Sequence, residues 1–175
     1  DNVLVSTTGP IGSVLPDTLV RSGLSIGVTA LDSTDVGGTS AARAILTTDS
    51  VSKEAVGDGA GYVIGGMAKG CGMVRPDMAT MLAFITTDAI VDSATLGASL
   101  QAATDITFNC LNIDGCQSTN DTVVVMASGE SGVTPDPETF TEALTAVCRD
   151  LSAQMAADAE GASRVVTIEV TGAET

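Results

Sequence analysis

Segments with helical hydrophobic spacing alternate along this 175-residue chain with short apolar segments rich in β-branched residues. This alternation indicates the mixed α/β class, in which helices are layered on a sheet. Aromatic residues make up only 2% of the chain and Trp is absent, so the core has to be built from Val, Ile, Leu, Ala and Met. No apolar run approaches the length of a membrane span.

Two helices have recognisable starts. Residues 136–138, Asp-Pro-Glu, are typical of a helix N-terminus, and apolar residues recur at helical spacing from there to Met155. Gly161 is interpreted as the stop of this helix. A second helix is predicted to begin near Asp92, with Cys110 on its apolar face.

The remaining elements are predicted from shorter patterns. A short helix is expected from residue 39 or 40 to about 46, and two glycine-rich stretches, 57–61 and 129–132, are interpreted as loops. Strands are predicted from apolar runs or period-two alternation. These strands cover residues 3–6, 82–86, 121–127 and 166–170.

The charge balance limits the possible partners. The net charge is -15, from 22 acidic against 7 basic residues. Nucleic acid and anionic membranes are excluded as partners because both require a basic patch. An ordinary solvated surface and an adaptation to high salt both remain open.

The absence of histidine limits the chemistry. A Ser-His-Asp or Cys-His arrangement cannot be built from this chain, and its four cysteines form no CxxC motif for zinc. A Thr or Ser nucleophile therefore needs another base. One such base is the nucleophile's own α-amine, freed when the preceding peptide bond is cut. Its pKa of about 7.7–8.0 leaves part of it unprotonated at neutral pH.

The stretch 65–82 offers the setting that such a nucleophile needs. It is rich in glycine, and the small residue Ala79 precedes Thr80 at the start of an apolar run. Lys69 lies within it, in surroundings that are unusual for a solvated lysine. A plain turn before a strand explains the same residues, and both interpretations stay open here.

Residues 67–89, MAKGCGMVRPDMATMLAFITTDA, resemble the cleavage region of the ornithine acetyltransferase (glutamate N-acetyltransferase) family. Thr7, Cys71 and Arg75 are small departures from the family's pattern. Further blocks resemble that family and keep its order. They are STTGPIG at 6–12, AILTTD at 44–49, DGCQSTNDT at 114–122 and DAEG at 158–161.

The resemblance implies a self-cleaving acyltransferase. The chain would cut itself between Ala79 and Thr80, and Thr80 would then carry acetyl from N-acetylornithine to glutamate in a ping-pong reaction that releases ornithine. Thr8, through its hydroxyl, and Gly9, through its backbone N–H, would form the oxyanion hole. No metal or cofactor is implied, while acetyl-CoA stays open as a second acetyl donor.

The resemblance also implies a substrate-binding set of Thr47, Lys69, Thr80 and Glu160. Simpler explanations exist for some of them: Thr47 as a polar helix end, and Glu160 as an exposed residue closing the long helix. A glutamate at a helix C-terminus opposes the helix dipole, which slightly favours a functional role. Asn120 with Asp121 either orients the site or forms an Asx turn before a strand, and Asp77 is assigned no role.

The implied fold is a layered α/β sandwich of the self-cleaving ornithine acetyltransferase type, incomplete in this chain. Residues 1–175 are interpreted as the central part of one catalytic domain, because family members are about twice as long and part of their substrate site lies nearer their C-terminus. The resemblance implies a cytoplasmic oligomer of two α and two β chains. Two alternatives remain: a related self-processing amidase or aminopeptidase, and a non-catalytic domain of this fold.

Overall fold

The computed structural model describes residues 3–8, 12–74, 81–116 and 118–172. Within these residues the chain forms helices and strands in a mixed order, as the α/β prediction requires. In chain order they are α1 (Asp17–Thr29), α2 (Asp35–Ala44), β1 (Lys53–Asp58), β2 (Val63–Lys69), β3 (Leu82–Thr87), α3 (Ser93–Asp105), a 3₁₀ turn (Phe108–Cys110), β4 (Thr122–Ala127) and α4 (Pro137–Ala157).

The four strands form one sheet in the order β1-β2-β3-β4. The first three are antiparallel neighbours, and β3 pairs with β4 in parallel through a crossover that contains α3. The register sets Lys53 opposite Ala68, Lys69 opposite Leu82, and Leu82 opposite Thr122. One end of the sheet therefore gathers the start of β1, the end of β2 and the starts of β3 and β4.

Helix α4 covers one face of the sheet, packing on β1, β2 and α3. It begins as its sequence predicts: Asp136 accepts hydrogen bonds from the backbone N–H groups of Glu138 and Thr139. Its apolar face is fully buried at Phe140, Leu144 and other positions of the same spacing. Burial of this face against the sheet is the main source of the core, and it confirms the layered α/β class.

Glycines in β1 and β2 explain why both strands were missed from the sequence. Gly57, predicted to lie in a loop, belongs to β1. A Cβ at Gly57 would lie 2.9 Å from Val147 Cγ2, and one at Gly66 would lie 3.1 Å from Leu151 Cδ1. Both glycines thus allow α4 to approach the sheet closely, and they remove the β-branched pattern that normally indicates a strand.

Several predicted boundaries are wrong. Segments 3–6 and 166–170 are exposed and form no strand, because within the described chain neither pairs with an edge of the sheet. Helix α3 ends at Asp105, so that Cys110 lies outside it and is exposed. Helix α2 begins at Asp35, earlier than predicted, since two glycines in its first half weaken the helical pattern.

Helix α1 differs from the others in having no buried residue. Large apolar side chains along it, including Leu19, Leu24 and Ile26, are exposed. None of the helices in the part of the chain described above combines the length and the apolar character needed to cross a membrane.

Candidate active site

Lys69, the last residue of β2, is 3% exposed, and its Nζ donates a hydrogen bond to Thr47 Oγ1 at 2.8 Å. Thr47 lies in the turn after α2. Among the described residues no carboxylate lies within ion-pair distance of Lys69. A buried ammonium whose one hydrogen-bond partner among the described residues is a hydroxyl is costly, and it is suited to bind an incoming carboxylate. The structure thus brings together two residues of the predicted substrate-binding set.

Asp49 fixes the turn that carries Thr47. Its Oδ1 accepts the backbone N–H of Gly70 at 2.6 Å, and its Oδ2 accepts that of Thr47 at 3.3 Å. Burial acts to raise the pKa of Asp49, but hydrogen bonds from Lys53 and Gly70 outweigh it and lower the pKa. Asp49 is therefore an anion at neutral pH, and it joins the Thr47 turn to the residue after Lys69.

Lys53, the first residue of β1, is completely buried. Its Nζ lies 2.8 Å from Asp49 Oδ1 and 2.6 Å from Asp158 Oδ2, just beyond the end of α4. Burial acts to lower the pKa of Lys53, but the two carboxylates outweigh this effect and raise it. The pKa of Asp158 is lowered, because the hydrogen bond from Lys53 and backbone donors outweigh its burial. These three charges connect β1, the turn after α2 and the end of α4.

Glu160 lies beyond α4, not within it, because the helix ends at Ala157. Glu160 is therefore not the helix-end residue that the sequence predicted, and the dipole of α4 gives it no special role. Its backbone N–H donates to Cys71 O at 2.6 Å, and its side chain is so close to Gly72 that a Cβ there would lie 3.1 Å from Glu160 Oε2. Glu160 is exposed. It stands against the same loop, 70–72, that follows Lys69.

The nucleophile and cleavage predictions, Ala79 and Thr80, lie outside the described residues, as does Gly9 of the predicted oxyanion hole. What the structure describes is the chain on either side of residues 75–80. Before them, the backbone N–H groups of Met73 and Val74 donate to Asp114 at 2.6 and 3.2 Å. After them, the N–H of Met81 donates to Asp121 Oδ1 at 2.8 Å.

Thr8 is half-buried, and its neighbour Thr7 is held by a distant residue. Asn120 Nδ2 donates to Thr7 O at 2.8 Å. Asn120 precedes Asp121, so that one dipeptide contacts both the Thr7–Thr8 segment and the residue that follows Thr80. The sequence left Asn120 and Asp121 open between orienting the site and forming an Asx turn, and it gave Asp114 no role of its own. The available signal was their polar character inside the block 114–122, which leads into β4.

Comparisons with known proteins agree with the sequence blocks. The model of the ArgJ family matches residues 1–175, and the chain belongs to this family. This confirms the resemblance stated from the sequence blocks. It is 52% identical over 173 residues to the arginine biosynthesis bifunctional protein ArgJ of Thermobifida fusca, covering 99% of this chain and 45% of that protein. The protein of the same name from Geobacillus stearothermophilus is 48% identical over 187 residues, covering 99% and 44%.

The chain thus spans less than half the length of the curated relatives it matches. Among solved structures, it is similar to the crystal structure of arginine biosynthesis bifunctional protein argJ from Bacillus halodurans. That match has 46% identity and a TM-score of 0.42, and it covers 45% of this chain and 39% of the other.

Proposed function

We propose that the protein containing this chain is an acyltransferase of arginine biosynthesis that moves acetyl from N-acetylornithine to glutamate. In this proposal Thr80 Oγ attacks the Ala79 carbonyl, the Ala79–Thr80 amide bond breaks, and water hydrolyses the resulting ester. The freed α-amine of Thr80 then serves as general base for its own hydroxyl. Membership of the ArgJ family and the name of its relatives, arginine biosynthesis bifunctional protein, support the pathway.

The acetyl cycle has two halves. Thr80 Oγ attacks the acetyl carbonyl of N-acetylornithine, and ornithine leaves with a proton on its α-amine. The amine of glutamate then attacks the acetyl-Thr80 ester, and N-acetylglutamate departs as Thr80 regains its proton. Thr8 and Gly9 would stabilise the oxyanion in both halves. No cofactor takes part, and acetyl-CoA is included as a second acetyl donor because the relatives are named bifunctional.

The observation that carries the proposal is the buried ammonium of Lys69 beside Thr47. N-acetylornithine and glutamate share an α-carboxylate, and a carboxylate bound at Lys69 would be paired inside a site of low dielectric. Glu160, which lies beyond α4 and contacts the loop after Lys69, is available for the side-chain ammonium of ornithine. One cation and one anion on neighbouring segments thus match the charges of the donor.

We further propose that the protein works in the cytoplasm as an oligomer of two α and two β chains derived from the cleaved precursor. The descriptions of the relatives as biosynthetic proteins support the cytoplasmic location. The assembly rests on the family resemblance of the sequence blocks alone.

The test follows labelled acetyl in the complete protein that contains this chain. With N-acetylornithine labelled in its acetyl group and unlabelled glutamate, we expect labelled N-acetylglutamate and parallel lines in double-reciprocal plots, the signature of a ping-pong reaction. Release of labelled acetate without transfer would favour the amidase alternative. Absence of any label movement would favour a non-catalytic domain.

Glu160→Gln tests the role of a single residue in this proposal. The amide keeps the size of the side chain and removes its charge, so we expect the KM for N-acetylornithine to rise while the KM for glutamate changes little. An equal effect on both substrates would contradict the assignment of Glu160 to the ornithine ammonium.

A further inference from the structure

Three hydrogen bonds account for every proton of a completely buried lysine at the start of β1. Lys53 Nζ donates to Asp49 Oδ1 at 2.8 Å, to Val51 O at 3.1 Å and to Asp158 Oδ2 at 2.6 Å. An ammonium has three donors, so none is left to bind a substrate. Lys53 can therefore act on a reaction only through its partners.

Both carboxylate partners are also bonded to the backbone of the candidate site. Asp49 holds the N–H groups of Thr47 and Gly70. Asp158 Oδ2 accepts the N–H of Ser50 at 2.9 Å. One buried cation thus connects the Thr47 turn with the loop after Lys69 and with the segment that leads to Glu160.

A purely stabilising role explains this arrangement poorly. Buried ion pairs often contribute little net stability compared with apolar side chains of similar volume, and their best-supported use is to specify one arrangement. Here the arrangement joins a pair of residues separated by 105 positions in the sequence, Lys53 and Asp158. The segments that they fix carry the candidate substrate-binding residues.

We propose that Lys53 is a positioning residue of the acetyl-transfer site. Through Asp49 it sets the place of Lys69 and Thr47, and through Asp158 it sets the place of Glu160. This inference rests on the proposed function for its kinetic consequence, whereas its structural consequence is independent of the reaction.

The kinetic test compares Lys53→Met with Leu144→Ala in the complete protein. Leu144 is a fully buried residue of α4 that contributes to the core and to none of the site contacts, so its truncation reports a loss of stability alone. Per folded molecule, we expect Lys53→Met to raise the KM for both substrates by roughly tenfold or more, because small misplacements of binding groups have effects of this size. Leu144→Ala should leave KM unchanged.

A double-mutant cycle identifies the route of the effect. If Lys53 acts by placing Lys69, then Lys53→Met should raise KM much less in a Lys69→Met background than in the unsubstituted protein. Equal effects in both backgrounds, or an unchanged KM in folded Lys53→Met, would overturn the proposal. If Lys53→Met does not fold, Asp158→Asn provides the same comparison, because it keeps the side-chain volume and removes one of the two negative charges paired with Lys53.

Hydrogen exchange separates this inference from the proposed function. In Lys53→Met, we expect the amides of Gly70 and Glu160 to exchange faster relative to that of Ile85 in the centre of the sheet. In Leu144→Ala the three amides should keep their relative rates. Selective exchange in a protein without acetyl transfer would refute the function and leave the role of Lys53 in place. Uniform exchange in both variants would refute the role itself.

Discussion

The side-chain amide of Asn120 donates a hydrogen bond to the Thr7 carbonyl oxygen at 2.8 Å, joining segments 113 residues apart in the sequence. The next residue, Asp121, accepts the N–H of Met81, which follows Thr80. A single dipeptide therefore contacts the segment of the proposed oxyanion hole and the chain beside the proposed nucleophile. Acyl transfer depends on the relative placement of these two groups.

Substitution of Asn120 by Asp tests this link. A carboxylate of the same shape cannot donate to the Thr7 carbonyl, so Thr8 should lose its fixed position. We expect kcat for acetyl transfer to fall by about 10–100-fold with little change in KM, as for a small misplacement of catalytic groups. Steady-state kinetics on the complete protein measures both constants.

Asn112→Asp is the matched control for this prediction. Asn112 Oδ1 accepts the N–H of Gly115 at 3.0 Å, and a carboxylate keeps that bond. The two variants add the same charge in the same part of the chain, at exposed Asn112 and at half-buried Asn120. Equal losses of kcat in both would mean that charge, not the Thr7 contact, is responsible.

Lys69→Met separates binding from stability. Because Lys69 is buried beside a hydroxyl, replacing its charge with an apolar side chain of similar length should leave the melting temperature unchanged or raise it. Substrate would lose its charge partner, and we expect kcat/KM to fall by a factor equivalent to about 2–5 kcal/mol. Arg43→Met, which removes an exposed cation near the end of α2, should change neither quantity.

A pair of neighbouring glycines tests the packing of α4 on the sheet. A Cβ at Gly66 would lie 3.1 Å from Leu151 Cδ1 and 3.3 Å from Val147 Cγ1, whereas one at Gly65 would meet nothing nearer than Thr86 Oγ1 at 3.9 Å. Gly66→Ala should therefore lower the free energy of unfolding by about 1–3 kcal/mol. Gly65→Ala should have no such effect. Denaturant titration compares the two, and equal stabilities would contradict the close approach of α4.

The buried charges around Lys53 predict that stability is constant over a range of pH and falls on both its acid and its alkaline side. Asp49 and Asp158 have pKa values below the ordinary 3.8, so their contribution is present above that pH and is lost as the pH falls through the lowered values. Lys53 has a pKa above the ordinary 10.5, so its contribution is complete below that pH and is lost as the pH rises through the raised value.

Thermal melts across pH measure this plateau. We expect Asp158→Asn to reduce the fall in melting temperature on the acid side, since one of the responsible carboxylates is gone. Asp58→Asn, at an exposed position of the same strand as Lys53, should leave the acid profile as it was. A profile that is identical in all three proteins would contradict the contribution of the buried cluster.

The sequence predicted the elements whose signals are local. Helix α4 carries its own cap at Asp136 and an uninterrupted apolar face, and β4 begins with a run of β-branched residues. Strand β2 was missed because Gly65 and Gly66 interrupt its apolar pattern, and because Gly66 serves close packing against distant residues of α4, which no local pattern reports. Extended runs at 3–6 and 166–170 have the composition of strands, but strand formation also requires a neighbour to pair with.

The residues of the candidate site likewise divide into those with a local signal in the sequence and those without one. Lys69 was identified as unusual from its glycine-rich surroundings, and its burial beside Thr47 agrees with that interpretation. The Lys53–Asp49–Asp158 cluster was not identified, because its members become neighbours only when the end of α4 reaches the start of β1. The proposed roles of Thr80 and Gly9 stay predictions of the sequence blocks.

Intact-mass measurement of the complete protein tests the central claim most directly. We expect two fragments that divide between Ala79 and Thr80, a single uncut mass for Thr80→Ala, and the gain of one acetyl group on the Thr80 fragment after incubation with N-acetylornithine. An uncut protein, a cut at another bond, or acetylation of a residue other than Thr80 would contradict it.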